Sequence, residues 1–512
     1  MLPESLGQLA ALTTLAIAGC SELTMLPESL GQLAALTTLE MGECHALTRL
    51  PESVGQLSRL TTLTVVEGLM TLIPASIGQL ASLVKLDLNY CHSLARLPAS
   101  LGQLVTLTTL DLSDCFALTC IPASLGGLTA LKMLDLSGCR ITVLPESLAQ
   151  LTALQCLNFL ACMALTALPD AIGQLATLAT LNLGDCRSLW ALPESMGQLA
   201  ALRTLILSEC VRLTALPESL GQLTALSTLD LGFCEALSVL PESMGSLIAL
   251  TRLDLGGCTA LTVLPSQLGQ LAALATLNLN DCTALTMLAE PIGHLTALTM
   301  LDLSGCEALG MLPESLGELA TLGTLSLSRC PTLTAFAGSL CRLAALTTLN
   351  LSWCDALTEM PESLGQLTSL IVLNLSWCDK LLRLPESLGQ LAVLVTLNLR
   401  QCTALTRLPE SLGRLAALAQ LDLAHCVALK RLPFSFVDLR AYVLRNDCWE
   451  DLPSMVFPPQ LVMWRGQREI KAFLLAHHHP LKMLLLILAA RRRRMRHPPA
   501  ELWVLIRDEY FW

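Results

Sequence analysis

The chain has 512 residues, of which 53% are hydrophobic but only 4% are aromatic and 14% are charged. Globular proteins carry roughly 25% charged residues, so this composition indicates one small pattern copied many times. Residues 1–433 hold 19 Lys and Arg against 34 Asp and Glu, whereas residues 434–512 hold 12 against 8. The balance of the first part is acidic, which argues against nucleic acid as a partner of that region.

Neither end of the chain predicts a targeting or membrane segment. The N-terminal stretch MLPESLGQLAAL has no basic region and no continuous apolar run, so it does not match a secretory signal. The longest apolar run near the other end, residues 483–490, is shorter than the ~20 residues that a membrane helix needs. The sequence therefore predicts a soluble, cytoplasmic chain without a transmembrane segment.

A repeat of 23–24 residues runs through residues 1–433. Its unit reads approximately LPESLGQLxALTTLDLSxCxALTx, and about 18 copies follow one another. Ala289 and Ala337 occupy the proline position in two copies, and the copies at 51–73 and 122–144 are one residue short. A period of 20–29 residues with LxxLxL followed by Cys or Asn is typical of a leucine-rich repeat.

The chemistry of one unit predicts its shape. Leu-x-Leu alternation in the LTTLDLS half favours a strand buried on one face. Pro3 fixes its φ and opens a turn, and Gly7 discourages a long helix, so the LPESLGQL half should be a short helical or 3-10 segment. We expect Leu6, Leu9 and Leu12 to point inward, and the strands to stack in parallel about 4.8 Å apart. No coil buries its leucines alone, so neighbouring coils must cover them.

Seventeen cysteines recur at one position of the unit, and Gly68 replaces the missing member. They are Cys20, Cys44, Cys91, Cys115, Cys139, Cys162, Cys186, Cys210, Cys234, Cys258, Cys282, Cys306, Cys330, Cys354, Cys378, Cys402 and Cys426. An odd-numbered ladder cannot pair fully into disulfides, and the chain has no CxxC motif for zinc. We expect buried, reduced thiols, each donating weakly to a turn carbonyl, and we expect no metal and no cofactor.

The unit LxxLxLxxCxxLxxLPxxLGxL resembles the intracellular leucine-rich repeats of plant disease-resistance receptors of the NLR type. It is also similar to Ras-binding leucine-rich scaffold proteins, which share the LPxxLGxL half. The resemblance implies an α/β solenoid, a right-handed horseshoe with a parallel sheet on its concave face and short convex segments. The concave face is usually the face that binds a protein partner. No GxxxxGK[ST] phosphate loop occurs in the sequence, so the resemblance supports the binding module rather than the whole receptor.

The stretch LSWCD occurs twice, at 351–355 and 375–379, and places Trp353 and Trp377 just before the repeated cysteine. Exposed tryptophans on adjacent coils form an apolar patch of the kind that anchors interfaces. Duplication of one repeat is the alternative explanation. The predicted partner-binding residues are the two tryptophans and the polar residues beside them: Asn350, Asn374, Asn398, Arg400, Asp422 and His425.

Acidic residues recur at the outward strand position in many coils. They are Glu40, Asp87, Asp111, Asp135, Asp230, Asp254, Asp302 and Asp422. Such a row either attracts a basic partner or discourages association between sheets, and we favour the second interpretation. Without a pocket or a Ser-His-Asp arrangement, the sequence predicts a protein that is not an enzyme.

After residue 433 the repeat pattern ends. Residues 434–460 predict a C-terminal cap on the stack, and residues 461–512 predict a basic helical tail. The run RRRRMR at 491–496 is either a solvated face or a nuclear signal. The segment PAELWVLI at 499–506 is similar to the opening of an F-box, the helix that docks ubiquitin-ligase adaptors.

These features lead to three hypotheses of function. The first is a non-enzymatic scaffold for protein recognition in defence or intracellular signalling. The second is a substrate adaptor for ubiquitin ligation, and the third is a fragment of a larger NLR-type receptor. The apolar first coil, without a polar cap before it, also predicts self-association through its N-terminal edge.

Overall fold

The structure, a computed structural model, describes residues 2–430, 432–433, 435 and 442–443. The chain divides into two compact units, residues 1–278 and residues 279–512, and each is described by itself. The predicted cap and basic tail lie outside the described residues, apart from residues 435 and 442–443.

In the first unit, strands and short 3-10 helices alternate along the chain. Its strands, β1 to β12, are Thr14–Ala18, Thr38–Gly42, Thr62–Val66, Lys85–Asp87, Thr109–Asp111, Met133–Asp135, Cys156–Asn158, Thr180–Asn182, Thr204–Ile206, Thr228–Asp230, Arg252–Asp254 and Thr276–Asn278. Its 3-10 helices are Glu4–Gln8, Glu28–Gln32, Glu52–Gln56, Ala75–Gln79, Ala99–Gln103, Ala123–Gly127, Glu146–Gln150, Asp170–Gln174, Glu194–Gln198, Glu218–Gln222, Glu242–Ser246 and Ser266–Gln270.

The second unit repeats the same alternation. Its strands, β13 to β19, are Met300–Asp302, Thr324–Ser326, Thr348–Asn350, Val372–Asn374, Thr396–Asn398, Gln420–Asp422 and Tyr442–Val443. Its 3-10 helices are Glu290–His294, Glu314–Glu318, Gly338–Arg342, Glu362–Gln366, Glu386–Gln390 and Glu410–Arg414.

Within each unit the strands form a parallel sheet in which equivalent residues lie side by side. Leu229 of β10 pairs with Leu253 of β11, and Leu349 of β15 pairs with Leu373 of β16. The shortened repeats do not disturb this register, since Thr62 of β3 still pairs with Lys85 of β4. The residue that each shortened repeat lacks is therefore missing from a loop and not from a strand. The predicted parallel solenoid with short 3-10 segments is confirmed.

Each 3-10 helix begins directly after the position that holds proline in most coils, and two follow Ala289 and Ala337 instead. Pro27 has φ −73° and ψ 150°, an extended conformation that turns the chain into the helix Glu28–Gln32. Ala337, which replaces proline in another coil, keeps nearly the same backbone with φ −62° and ψ 135°.

The glycine in the helix allows close stacking of neighbouring coils, a constraint that the sequence pattern did not predict. A Cβ on Gly31 would lie 2.6 Å from the carbonyl oxygen of Ser53 in the next coil. The helix Glu28–Gln32 therefore packs backbone against backbone on its neighbour.

Leucines fill the interior of the coils. Leu30, Leu33 and Leu36 are fully buried, as predicted for their positions. In the first coil Leu9 is 52% exposed, as expected at an edge without a polar cap, whereas Cys20 is exposed where a buried thiol was expected. Among the described residues no coil covers that side of them.

Candidate functional site

A tight turn follows each core strand and carries the candidate site. In β10 and its turn, the amide of Cys234 donates to the carbonyl of Leu231 at 3.2 Å. Phe233, which directly precedes this cysteine, has a φ of +58°. A bond from residue i+3 to residue i with positive φ at i+2 is the geometry of a type II turn, which favours Gly or Asn at that point.

The acidic residues at the ends of the strands cap these turns. Asp230 accepts a hydrogen bond on Oδ1 from the amide of Gly232 at 3.0 Å. Asp302 accepts from both the amide and the hydroxyl of Ser304, and its amide contact measures 2.9 Å. From Asp87 onward, the members of this row therefore also hold the turns, a role that the sequence analysis did not predict. Short side chains of this kind bond to their own backbone two residues on.

Behind the turns, the repeated cysteines hold successive coils together. The thiol of Cys234 donates to the carbonyl of Leu207, a turn residue of the preceding coil, at 3.2 Å. Burial raises the pKa of the Cys210 thiol to about 12, so the thiol stays protonated at neutral pH. All cysteines within the described part are free, and Cys20 is the ladder member that is not buried. The predicted contact with a turn carbonyl is confirmed, and it joins neighbouring coils.

Trp353 and Trp377 occupy the positive-φ position of two adjacent turns in the second unit, with φ of +62° and +61°. Their indole rings stack face to face, with centroids 4.1 Å apart and planes 6° from parallel. Each ring covers a face of the other, and Trp353 is exposed whereas Trp377 is half-buried. Their amides donate to the carbonyls of Ser376 and Arg400 in the following coils, which fixes both residues on one edge of the sheet.

We call the positive-φ positions Arg329, Trp353, Trp377, Gln401 and His425 the tryptophan edge. They occupy consecutive turns of the second unit, and the strands before these turns pair in register. The arrangement is a stacked aromatic pair between an arginine on one side and a glutamine and a histidine on the other.

The predicted polar residues beside the tryptophans mostly serve the turns. Asn350, Asn374, Asn398 and Asp422 each accept a hydrogen bond on Oδ1 from the amide two residues later. Ser352 and Ser376, which directly precede the two tryptophans, are buried. Arg400 is half-buried, and Asn350 also donates from Nδ2 to Ser326 Oγ at 3.4 Å.

Three functional features escaped the sequence analysis. The positive φ of the tryptophan positions had a signal, since Gly19, Gly138, Gly257 and Gly305 fill the same position in other coils. Arg329 lies one turn before Trp353 and was not singled out. The third is an aromatic group in the first unit, where Tyr90 packs with His92, which in turn stacks on Phe116.

The comparisons with known proteins agree with this geometry. A family model described as a leucine-rich repeat region matches residues 1–114, 86–208 and 194–298. This chain belongs to the leucine-rich repeat proteins. A comparison with the curated proteins found no match.

A solved structure of a leucine-rich repeat protein supports the same fold. The chain is similar to the LRR protein LIC12759 of Leptospira interrogans, with 24% identity, a TM-score of 0.56, and coverage of 88% of this chain and 97% of that one. It is also similar to the leucine-rich repeat domain of the type III effector XCV3220 (XopL), with 30% identity, a TM-score of 0.40, and coverage of 42% and 75%. A third match is the Arabidopsis receptor kinase HAESA in complex with the peptide hormone IDA and the co-receptor SERK1, at 22% identity, TM-score 0.45, and coverage of 88% and 91%.

Two other features, a metal-binding group and a membrane-spanning helix, are absent from the described residues. No group of three or more His, Cys, Asp or Glu side chains there is placed to hold a metal ion. Nor does that part of the chain contain a helix long and apolar enough to cross a membrane.

Proposed function

We propose that this protein is a recognition scaffold that binds a protein partner along the sheet of the second unit, with the tryptophan edge as the anchor. The predicted roles in defence, in signalling and in ubiquitin ligation stay predictions, as do self-association and a cytoplasmic or nuclear location. The F-box-like and arginine-rich segments that bear on several of them lie outside the described residues.

The observation that carries the proposal is two stacked tryptophans at positions whose backbone favours glycine. Holding a bulky residue at positive φ costs on the order of 1 kcal/mol or more for each tryptophan. Stacking of the pair returns about 0.5–1.5 kcal/mol. The stacking energy does not exceed the backbone cost of the two tryptophans, so a role in binding explains the pair better than a role in folding.

The chemistry of the edge suits a protein partner. An indole offers a large rigid apolar surface with one N–H donor, which is why Trp is enriched among the residues that dominate binding energy. Arg329, exposed beside Trp353, adds a donor that pairs with carboxylates. A partner segment with an apolar side chain next to an acidic one would fit this edge.

The test is a double variant, Trp353→Gly and Trp377→Gly, in the full chain. Proximity labelling in the native cell identifies the partner of the unaltered protein, and titration then compares the two proteins. We expect the unfolding free energy to change by no more than about 1 kcal/mol, because relief of the backbone strain offsets the lost stacking. Partner binding should weaken by about 2 kcal/mol or more if the indoles are hot spots.

Trp190 provides the matched control. It is 57% exposed and lies outside the tryptophan edge, in the first unit. Trp190→Ala should leave the affinity unchanged. A double variant that loses stability while its affinity for the partner stays the same would refute the proposal, since the indoles would then serve the fold.

A further inference from the structure

A group of aromatic side chains is exposed where β4 and β5 end in the first unit. Tyr90 and Phe116 are 43% and 42% exposed, and His92 lies between them. The His92 and Phe116 rings stack with centroids 4.7 Å apart and planes 1° from parallel, while Tyr90 meets His92 edge-on at 5.8 Å. His92 Nδ1 lies 3.0 Å from the carbonyl oxygen of Asp114, so the ring donates there and is held in place.

Carboxylates lie at the strand ends and turns of the coils that carry this aromatic group, and Arg140 follows Phe116 at the equivalent position of the next coil. The strand ends and turns of five consecutive coils, residues 40–43, 64–67, 87–90, 111–114 and 135–138, contain no Lys or Arg. They contain seven acidic residues: Glu40, Glu43, Glu67, Asp87, Asp111, Asp114 and Asp135.

Few of these carboxylates are neutralised within the described residues. Asp87 forms an ion pair with Lys85 at 3.0 Å, and it is the only one of the seven in an ion pair there. Later in the same unit the situation differs, because Arg187 pairs with both Asp185 at 2.6 Å and Glu209 at 3.4 Å. The carboxylates of the five coils therefore have fewer ion-pair partners than Asp185 and Glu209 have.

The carboxylates of β4, β5 and β6 repel one another. Asp111 lies beside Asp87 and Asp135 in the register of the sheet, and parallel strands are about 4.8 Å apart. Burial raises the pKa of the Asp111 carboxyl, and the charges of Asp87 and Asp135 raise it further. A cation bound at this edge would remove the repulsion.

We propose that the aromatic group Tyr90, His92 and Phe116, with the carboxylates of residues 40–135, is a second docking surface that takes an arginine-bearing segment of a partner protein. Arginine fits both parts of the surface: its planar guanidinium stacks on aromatic faces while its N–H groups donate to carboxylates. Lysine, a compact and strongly hydrated charge, makes only the second contact well. The partner class follows from charge complementarity, and the surface is distinct from the tryptophan edge of the second unit.

The test uses a fluorescein-labelled peptide of sequence GRRGRRG with the full chain. We expect it to bind at least ten times more tightly than the matched peptide GKKGKKG, and the matched GEEGEEG peptide should not bind. Affinity for GRRGRRG should fall as salt is added, because exposed charges are screened.

Two single variants test the surface. Each introduces a residue that other coils already carry at the equivalent position. Phe116→Thr places the residue found at Thr259 and Thr403, and Asp114→Gly places the residue found at Gly138. Each should weaken GRRGRRG binding about ten-fold.

Control variants at the same positions of other coils are Met163→Thr and Asp281→Gly, and they should change nothing. Unchanged affinity in Phe116→Thr and Asp114→Gly, or an equal loss in the controls, would overturn the proposal.

One further variant decides the occupant. The chain carries its own arginine run at residues 491–494. In a full chain with these four arginines changed to Gln, peptide affinity should stay the same if the surface is open to a partner. A ten-fold rise would show that the chain's own segment covers the surface, which would overturn the assignment to a partner.

Discussion

At the residue before each repeated cysteine, backbone geometry limits the side chain that the fold prefers. The position has positive φ in coil after coil, and it holds glycine in four turns and acidic residues in several others. Glycine costs least there, and Asp tolerates the conformation better than bulky residues do. Aromatic residues at this position, including Phe233 as well as the two tryptophans, are thus the exceptions that call for a reason beyond folding.

The repeated cysteines lead to a prediction at alkaline pH. Burial raises the pKa of the Cys91 thiol to about 11 from its ordinary value of 9.0. A thiol with a raised folded-state pKa contributes stability that is complete below pH 9 and is lost as pH rises through 11. We expect the unfolding free energy to fall between pH 9 and 11, and Cys91→Ser to remove roughly 1 kcal/mol of that fall.

Urea unfolding at pH 8 and pH 10 measures this effect. Cys120 is exposed, so Cys120→Ser is the matched control and should leave the fall unchanged. If the unfolding free energy falls equally in Cys91→Ser and in the unaltered chain, the fall at alkaline pH comes from other titrating groups.

At the scale of the turn, the capping aspartates are expected to act through their shape rather than their charge. Asp230 accepts from the amide of Gly232, while burial raises the pKa of its carboxyl. Asp230→Ala leaves that amide without its acceptor and should cost about 1 kcal/mol. Asp230→Asn keeps the acceptor, as Asn182 does for Gly184, and should cost nothing at pH 7.

The same pair of variants tests the sign of the pH dependence. Because the folded-state pKa of Asp230 is raised, its contribution to stability is greatest below its ordinary pKa and falls as pH rises through the folded value. Asp230→Asn should remove this dependence in urea titrations between pH 3 and 7. Equal destabilisation by Asn and Ala at neutral pH would show that the charge itself matters.

Much of the coil could be read from the sequence because the same physical constraint recurs in every copy. The period of Leu-x-Leu predicts the strand, and Pro27 and its equivalents predict where the 3-10 helix begins. The thiols donate to a turn carbonyl, as predicted. The sequence could not show that Gly31 lies against the backbone of the next coil, since that contact depends on the distance between coils. Nor could it show that Ser352 is buried, since that depends on the dihedral angles of the turn.

The candidate site was less predictable than the coil. Trp353 and Trp377 were found because they break a repeated pattern, and the stacking of their rings follows from the strand register. Arg329 was missed because it is one side chain among many variants at its position. The contact of Tyr90 with His92 was missed because the two rings occupy different positions of one coil. Repetition reveals the residues that every coil shares, whereas the binding residues are those that differ.

At the scale of each whole unit, stability is built from contacts between neighbouring coils. In the first unit, β10 pairs with β9 and β11, and the thiol and turn bonds likewise join one coil to the next. Stability in such a stack is approximately a sum of terms for each coil and for each pair of neighbours. A defect in one coil should therefore be felt most strongly by the coils on either side of it.

Leu229→Ala tests this expectation in β10. Leu229 is fully buried, so the variant should cost about 2–5 kcal/mol through lost burial and the cavity that it leaves. Hydrogen exchange should accelerate first at the amides of Leu207 and Leu231, which bond across neighbouring coils. The amides of β2 should keep their protection. Leu86→Ala in β4 is the matched control and should move the fast-exchanging region to β3, β4 and β5. If instead both variants accelerate exchange equally in all twelve strands of the unit, it unfolds as one cooperative block and the nearest-neighbour description fails.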